Sequence, residues 1–226
     1  MASINRPTVA THTIHKSLSF NTPDQQDHTF SGIVFPVTCS TQLPVHSITI
    51  TSVSVRGDLG GMTVWATNQS PTAYVGGPSA AREASVRDFF DHSGNGWARI
   101  ARSSSKATIS PPPLDQNSYN LLHTSNQPSS PRSYKALQLS TPILLSPGNT
   151  TYIYIHSDLI GDTGLVYDNY AGSGPAVQTD YLTIDAGLAH VSPQAFGNRT
   201  LWGYGGAWRG GRCFVGEVNY GVTFKL

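Results

Sequence analysis

The sequence predicts an all-β protein in which two antiparallel sheets pack as a β-sandwich. Short runs of alternating apolar and polar residues recur along most of the 226 residues. The 22 glycines and 15 prolines are scattered between these runs, as turn residues are, and follow no fixed period. About ten such runs joined mostly by turns suit two packed sheets, and a chain of this length can form them as one domain, residues 1–226.

The first half of the chain contains four predicted strands, at residues 13–20, 30–39, 47–55 and 62–67. The third of these breaks the alternation. Ile48 and Ile50 share one phase, whereas Val53 and Val55 share the other. Either a β-bulge that resets the pleat or burial of both strand faces explains this break.

Two segments depart from the β pattern. Residues 79–92 predict one short helix, because Ser79 can cap its start, alanines favour it and Gly94 follows its end. We expect this helix to pack as a lid on an edge of the sheets. Residues 103–133 are rich in Ser, Pro, Asn and Gln, which indicates a long insertion loop inside the sandwich that is mobile or ordered only by a partner.

The second half returns to the β pattern, with predicted strands at residues 135–139, 143–145, 152–156, 165–167, 181–184 and 212–224. Alternation then predicts which side chains face the dry interior of the sandwich. The predicted inward set includes Ile14, Phe35, Val37, Ile48, Ile50, Val64, Leu139, Ile153, Ile155, Ile184 and Val218.

Several short motifs occur in a characteristic order: FSGIVF at 30–35, LSPG at 145–148, YIYI at 152–155, GLVY at 164–167, LTI at 182–184, FG at 196–197 and RCFVGEVNY at 212–220. This order resembles a jelly-roll-type β-sandwich module of algal and microbial proteins of largely unassigned function. It is more distantly similar to the PHR-type sandwich of eukaryotic ubiquitin-ligase adaptors. The resemblance covers residues 30–67 and 137–224. It implies a jelly-roll-like fold and a structural or interaction role, and it transfers no catalytic residue.

The low charge of the chain points to contact with other molecules. Only 12% of the residues are charged, about half of the roughly 25% usual in soluble domains. The solvated surface must then consist largely of Ser, Thr, Gly, Asn, Gln and Pro, and covering such a surface removes water from few full charges. This composition favours a protein that binds partners, including copies of itself.

Other function classes lack their usual signals. Lys and Arg are spread singly apart from a loose group at Arg99, Arg102 and Lys106, so we expect no nucleic-acid binding. No run approaches 18 apolar residues, and we expect no membrane insertion. The start at Met1 has no apolar signal-peptide core, so an intracellular location or a place in an assembly is favoured.

The richest candidate binding segment is residues 201–212, in which glycines surround three aromatic side chains and two arginines: Trp202, Tyr204, Trp208, Arg209 and Arg212. The rings and arginines could form a protein interface, with Trp208 exposed at a loop tip, or a platform for a glycan. Alternatively, the loop folds its rings over the end of the sandwich and closes the core. The glycine spacing does not match the dinucleotide-binding motif.

Metal, thiol and catalytic signals are weak. Asp158 and Asp162 lie in a Gly-containing loop that could hold Ca²⁺, although Asp and Gly are also the residues that a turn selects. No other cofactor is expected. Cys39 and Cys213 are predicted to be two buried thiols rather than a disulfide. No hydrolase motif or Cys/His metal spacing occurs, so we expect no enzyme.

The expected function is therefore that of a non-enzymatic structural or interaction protein. It would associate with copies of itself or with a protein partner through low-charge, aromatic-containing surfaces. The alternative is a lectin-like module that binds glycans through Trp202, Tyr204 and Trp208.

Overall fold

The computed structural model describes residues 16–26, 28–41, 44–68, 120–125, 132–159, 163–197 and 207–224. Within these ranges the chain forms β-strands and no helix, so the predicted all-β class is confirmed. The strands are β1 Lys16–Asn21, β2 His28–Phe30, β3 Gly32–Cys39, β4 Val45–Val55, β5 Met62–Thr67, β6 Asn120–Ser125, β7 Lys135–Leu145, β8 Thr150–Ser157, β9 Leu165–Asn169, β10 Val177–Gln178, β11 Leu182–Ile184, β12 Gly187–His190, β13 Trp208–Phe214 and β14 Gly216–Phe224.

The strands form two antiparallel sheets that pack against each other, as predicted. The smaller sheet has the order β1-β14-β4-β7. The larger sheet runs β2-β9-β13-β12-β3-β8-β5-β6, and β11 also pairs with β3 while β10 pairs with β11. β3 is long enough for β12 and β11 to share one of its edges. β12 pairs with the Gly32 end, and β11 pairs with the Cys39 end.

The core lies between the sheets, and alternation along the strands fills it. Ten members of the predicted inward set are described, and all ten are buried: Phe35, Val37, Ile48, Ile50, Val64, Leu139, Ile153, Ile155, Ile184 and Val218. Ile14 lies outside the described residues. The period-2 interpretation of these strands is therefore confirmed.

A β-bulge explains the phase break in β4. The register of β4 against β14 passes from Ser52 to Ile50, and the register against β7 also omits Thr51. The extra residue turns the following side chains to the opposite face, so that Ile50 and Val53 both enter the core at 0% exposure. Of the two explanations left open by the sequence, the bulge is the one observed.

The predicted insertion is wrong at Asn120–Ser125, because this stretch is β6 and pairs with β5 at the edge of the larger sheet. Its composition is mostly polar because an edge strand packs little of its surface. Leu122 enters the core at 6% exposure, whereas Leu121 is 52% exposed. The predicted helix at residues 79–92 lies outside the described residues.

Further differences concern strand boundaries. The strand predicted at 212–224 is wrong as one strand, because the chain divides there into β13 and β14, which lie in different sheets. The two strands predicted at 135–139 and 143–145 are one strand, β7. Its residues 139–142 have no paired residue in the register with β4. β12 is a strand that the sequence did not predict. Its glycine makes alternation hard to detect, and it also allows close packing, since a Cβ at Gly187 would lie 1.9 Å from the Val34 carbonyl oxygen.

Both cysteines are buried and free, which confirms the prediction of two thiols. Burial raises the pKa of Cys39 to about 11. Burial, with a smaller contribution from the charge of Asp168, also raises the pKa of Cys213 to about 11. At neutral pH both groups are protonated thiols and weak nucleophiles.

Candidate functional site

The larger sheet carries a second cluster on the face turned away from the core. We call it the aromatic face, and it comprises Val34, Trp65, Tyr154, His156, Leu188, His190 and Trp208. Alternation explains how it forms. On β8, Ile153 and Ile155 enter the core between the sheets, so that Tyr154 and His156 project to the other side.

Strand register places these side chains in two adjacent rows. In one row Trp65 lies opposite Tyr154, which lies opposite Val34. In the next row His156 and His190 stand on either side of Gly32, and His190 pairs with Trp208. A Cβ at Gly32 would lie 3.2 Å from the His156 ring, so glycine allows the two imidazoles to approach each other.

The rings of the aromatic face are closely packed. The His190 and Trp208 rings stack with their centroids 4.0 Å apart and their planes inclined at 24°. Trp65 stacks on Tyr154 at 5.3 Å, and the two imidazoles are 5.7 Å apart. Tyr154 and His190 are fully buried, at 0% exposure.

The chain that follows β12 lies over this face. We call residues 191–197 the covering segment. The Phe196 ring meets Trp65 at 5.1 Å and Tyr154 at 4.8 Å in edge-to-face geometry. Phe196 has a φ of 58°, a left-handed conformation that a non-glycine residue adopts at a cost. This turn places the ring on the aromatic face and presents the carbonyl of Gly197 to the sheet.

Both histidines donate hydrogen bonds to backbone carbonyls of the covering segment. His190 Nε2–H donates to Gly197 O at 2.8 Å, and His156 Nε2–H donates to Ser192 O at 3.1 Å. A carbonyl has no proton to give, so each Nε2 carries the hydrogen. The neutral His190 ring then has a bare Nδ1, which accepts a bond of 2.7 Å from the Tyr154 hydroxyl.

The electrostatics of the site favour neutral rings. Burial lowers the pKa of His190 to about 3, against an opposing effect of its bond to Gly197 and with a further lowering by His156. Burial also lowers the pKa of His156, while the bond to Ser192 and the charge of Asp158 oppose the shift. Both rings are uncharged hydrogen-bond donors at neutral pH.

The structure corrects the predicted position of Trp208. Its side chain is 5% exposed in the aromatic face, so the expected exposed loop tip is wrong. The residue begins β13 and pairs with His190, which turns the indole inward against the covering segment. The predicted alternative of a loop that closes the core over the end of the sandwich does not describe Trp208 either, because the residue lies on a strand and in the aromatic face. Trp202 and Tyr204 lie outside the described residues, and glycan or partner binding by them stays a prediction.

The two arginines of the predicted segment lie on β13 and bond to its own backbone. Arg209 donates to Trp208 O at 3.4 Å, and Arg212 donates to Gly210 O and Gly211 O at 2.7 and 3.0 Å. The Arg212 guanidinium also lies 5.8 Å from the centre of the Tyr167 ring. These contacts stabilise the irregular part of β13. A role of the arginines in partner binding remains a prediction.

The candidate calcium loop is described at Asp158 alone, because Asp162 lies outside the described residues. The Asp158 carboxylate accepts a hydrogen bond of 2.7 Å from the Gly61 amide, which joins the loop after β8 to the loop before β5. Among the residues that the structure describes, no three His, Cys, Asp or Glu side chains come together as metal ligands would. The described part of the chain also contains no helix suited to crossing a membrane.

A small cavity of about 160 Å³ lies near the end of β9. Its lining includes the apolar side chains of Val177, Ile184 and Phe214 together with Asp168 and Cys213. The Asp168 oxygens already accept hydrogen bonds from the Gln25 and Gln26 amides at 2.8 and 2.7 Å. The carboxylate therefore serves to hold the turn that leads into β2.

The exposed face of the smaller sheet is the second surface of interest. We call it the polar face, and it comprises Ser17, Ser19, Asn21, Ser47, Thr49, Thr51, Ala136, Gln138, Leu144, Glu217, Asn219, Gly221 and Thr223, all exposed or half-buried. Strand register aligns these side chains in rows such as Ser19, Asn219 and Gln138, with the buried Ser52 between the last two. Glu217 is the one charged residue in this set.

The sequence analysis predicted neither the aromatic face nor the polar face. The sequence of β8 could have indicated the aromatic face. Large side chains occur at both odd and even positions of this strand, and such a strand is buried on both faces. The comparisons with known proteins found no match among protein-family models, curated proteins or solved structures. The resemblance to jelly-roll and PHR-type modules therefore stays a prediction.

Proposed function

We propose that this chain is a non-enzymatic interaction protein that associates with copies of itself through the polar face of the smaller sheet. The observation that carries the proposal is the low charge of that face, where Glu217 is the one charged residue in a set of hydroxyl, amide and apolar groups. Covering such a face removes water from few full charges, so the cost of dehydration is low. Leu144, 68% exposed, adds apolar surface to it.

The area of the polar face determines how strongly two copies of the chain are expected to associate. Four strands about 4.8 Å apart and nine residues of β14 at about 3.4 Å each give an area of about 600 Å². A standard stable interface buries about 800 Å² on each partner. We therefore expect weak association that depends on protein concentration.

The chemistry of the buried groups supports a role other than catalysis. The thiols of Cys39 and Cys213 have pKa values raised to about 11, which leaves little thiolate at neutral pH. The imidazoles of His156 and His190 bond to backbone carbonyls and have lowered pKa values. These groups are arranged as structural side chains.

Sedimentation velocity at two or more concentrations tests the proposal. The wild-type sedimentation coefficient should rise with concentration. The double variant Asn219→Asp, Gln138→Glu introduces two near-isosteric negative charges in one row of the polar face, two strands apart, and like charges on two copies repel. We expect its association to weaken about tenfold or more, equivalent to about 1.4 kcal/mol.

The matched control carries Gln178→Glu and Asn68→Asp, which add the same two charges at exposed positions on β10 and just after β5, away from the polar face. It should associate like the wild type. A wild type that stays monomeric at millimolar concentration contradicts the proposal, and so does a double variant that associates as strongly as the control.

A further inference from the structure

The covering segment is held on the larger sheet by groups that change their charge in acid. Two of its backbone carbonyls, Ser192 O and Gly197 O, accept hydrogen bonds from the two imidazoles of the aromatic face. Its Phe196 ring packs on Trp65 and Tyr154. We propose that residues 191–197 are an acid-released clasp: when His156 and His190 are protonated, the segment leaves the sheet and the aromatic face becomes exposed.

Protonation disturbs the site in two ways. His190 Nδ1 gains a hydrogen and loses the lone pair that accepts the bond from the Tyr154 hydroxyl. Two positive rings with centroids 5.7 Å apart also repel each other in a site that excludes water. A protonated His190 is stabilised by stacking on the Trp208 ring. The free energy needed to transfer its charge from water to this buried site is larger than that stabilisation.

Among the residues that the structure describes, few neighbouring groups can compensate these charges. β8 contributes the neutral hydroxyl of Tyr154 and is followed by Asp158, whose carboxylate is exposed and bonded to the Gly61 amide. β13 contributes a further positive charge, Arg209. Between the two imidazoles β3 has Gly32, which has no side chain. Water therefore has to reach the rings, and it does so when the segment that covers them moves away.

The direction of the pH effect follows from linkage. His190 has an ordinary pKa of 6.5, which burial lowers to about 3, so between these values the open form binds more protons than the closed form. The closed form is fully favoured above pH 6.5 and loses its advantage as the pH falls toward 3. We expect release in the upper part of this window, before the pH reaches 4. Self-association through the polar face at neutral pH is a separate property.

Hydrogen exchange measured from pH 7.5 to pH 4, corrected for intrinsic rates, tests the clasp in the wild type. Peptides from residues 188–197 should lose protection and the binding of an apolar dye should rise, while β4 and β14 stay protected. A covering segment that remains protected at pH 4 overturns the proposal. Simultaneous loss of protection in β4 and β14 also overturns it, because the event is then global unfolding.

Variants identify the groups responsible. In His156→Gln, His190→Gln the amides retain a donor near each Nε2 but do not titrate, so the acid transition should disappear. His46→Gln removes an exposed histidine on β4 and should leave the transition unchanged. A double variant that opens at the wild-type pH overturns the proposal.

If the double variant does not fold, a third variant tests the acid release of the covering segment. Tyr154→Phe keeps the ring and removes the hydroxyl that donates to the neutral form of His190. Loss of this bond favours protonation, so the midpoint of release should move upward by about half a pH unit or more. An unchanged or lower midpoint contradicts the mechanism.

Discussion

The indole ring of Trp208 contacts both the imidazole of His190 and the ring of Tyr154, with centroid distances of 4.0 and 5.4 Å. Its neighbours in sequence are an arginine and glycines, which is why the sequence suggested an exposed binding residue. The structure gives it the contacts of a core residue instead. Its contribution belongs to the stability of the aromatic face.

We therefore expect Trp208→Ala to destabilise the protein. Removing a buried Trp side chain costs about 3–5 kcal/mol in free energy of unfolding, because the transfer energy of the ring is lost and a cavity remains. Leu144→Ala is the control, since that side chain is 68% exposed and its removal should cost about 0.5 kcal/mol or less. Urea denaturation measures both, and a Trp208→Ala variant as stable as the wild type would place the indole at the surface.

At the scale of elements, one polar contact joins three strand ends. Asp24 follows β1, Arg56 follows β4 and Tyr134 precedes β7. The Arg56 guanidinium pairs with both oxygens of the Asp24 carboxylate, and the Tyr134 hydroxyl donates to it at 3.0 Å. The hydrogen bond from Arg56 is the largest cause of the lowered pKa of Asp24, and the bond from Tyr134 adds to it.

Asp24→Asn should lower the free energy of unfolding at pH 7 by about 1 kcal/mol, because the contact is partly exposed to solvent. The folded carboxyl has a pKa below its ordinary value of 3.8, so its stabilising effect is present above pH 3.8 and is lost as the pH falls through the folded value. Denaturation at pH 7 and pH 3 should show the difference from the wild type shrinking in acid. Asp58→Asn, in an exposed turn, should show no such difference.

At the scale of the molecule, the last described strand occupies a central place. β14 lies between β1 and β4, and its Val218, Tyr220 and Val222 are buried at 0%, 4% and 0% exposure. β1 is an edge strand whose Leu18 and Phe20 are half-buried. Removing β14 would therefore leave β1 without its partner and the core open.

We expect a chain lacking residues 216–226 to have no cooperative unfolding transition. Burial of its three core side chains contributes about 5–8 kcal/mol, which is comparable to the whole stability of a typical domain. A chain lacking residues 1–21 loses an edge strand and should unfold cooperatively at lower urea concentration. Circular dichroism in urea distinguishes the two, and cooperative unfolding of the first variant would contradict the central role of β14.

Local patterns in the sequence determined the strand class and the inward side chains. Phe35, Ile153 and Val218 could be assigned to the core from their own segments, because alternation fixes the face of a strand without knowledge of its neighbours. The phase break in β4 likewise indicated a bulge or two buried faces before any partner strand was known. These features depend on residues a few positions apart.

Tertiary structure decided which residues meet. Tyr154 and His190 are separated by 36 positions and form one hydrogen bond because β8 and β12 both pair with β3. β6 is a strand because β5 offers it a partner, although its composition resembles a loop. Alternation fixes the side to which a residue points, but register across strands distant in sequence fixes its neighbours. The packing of all strands together sets that register, and no single segment encodes it.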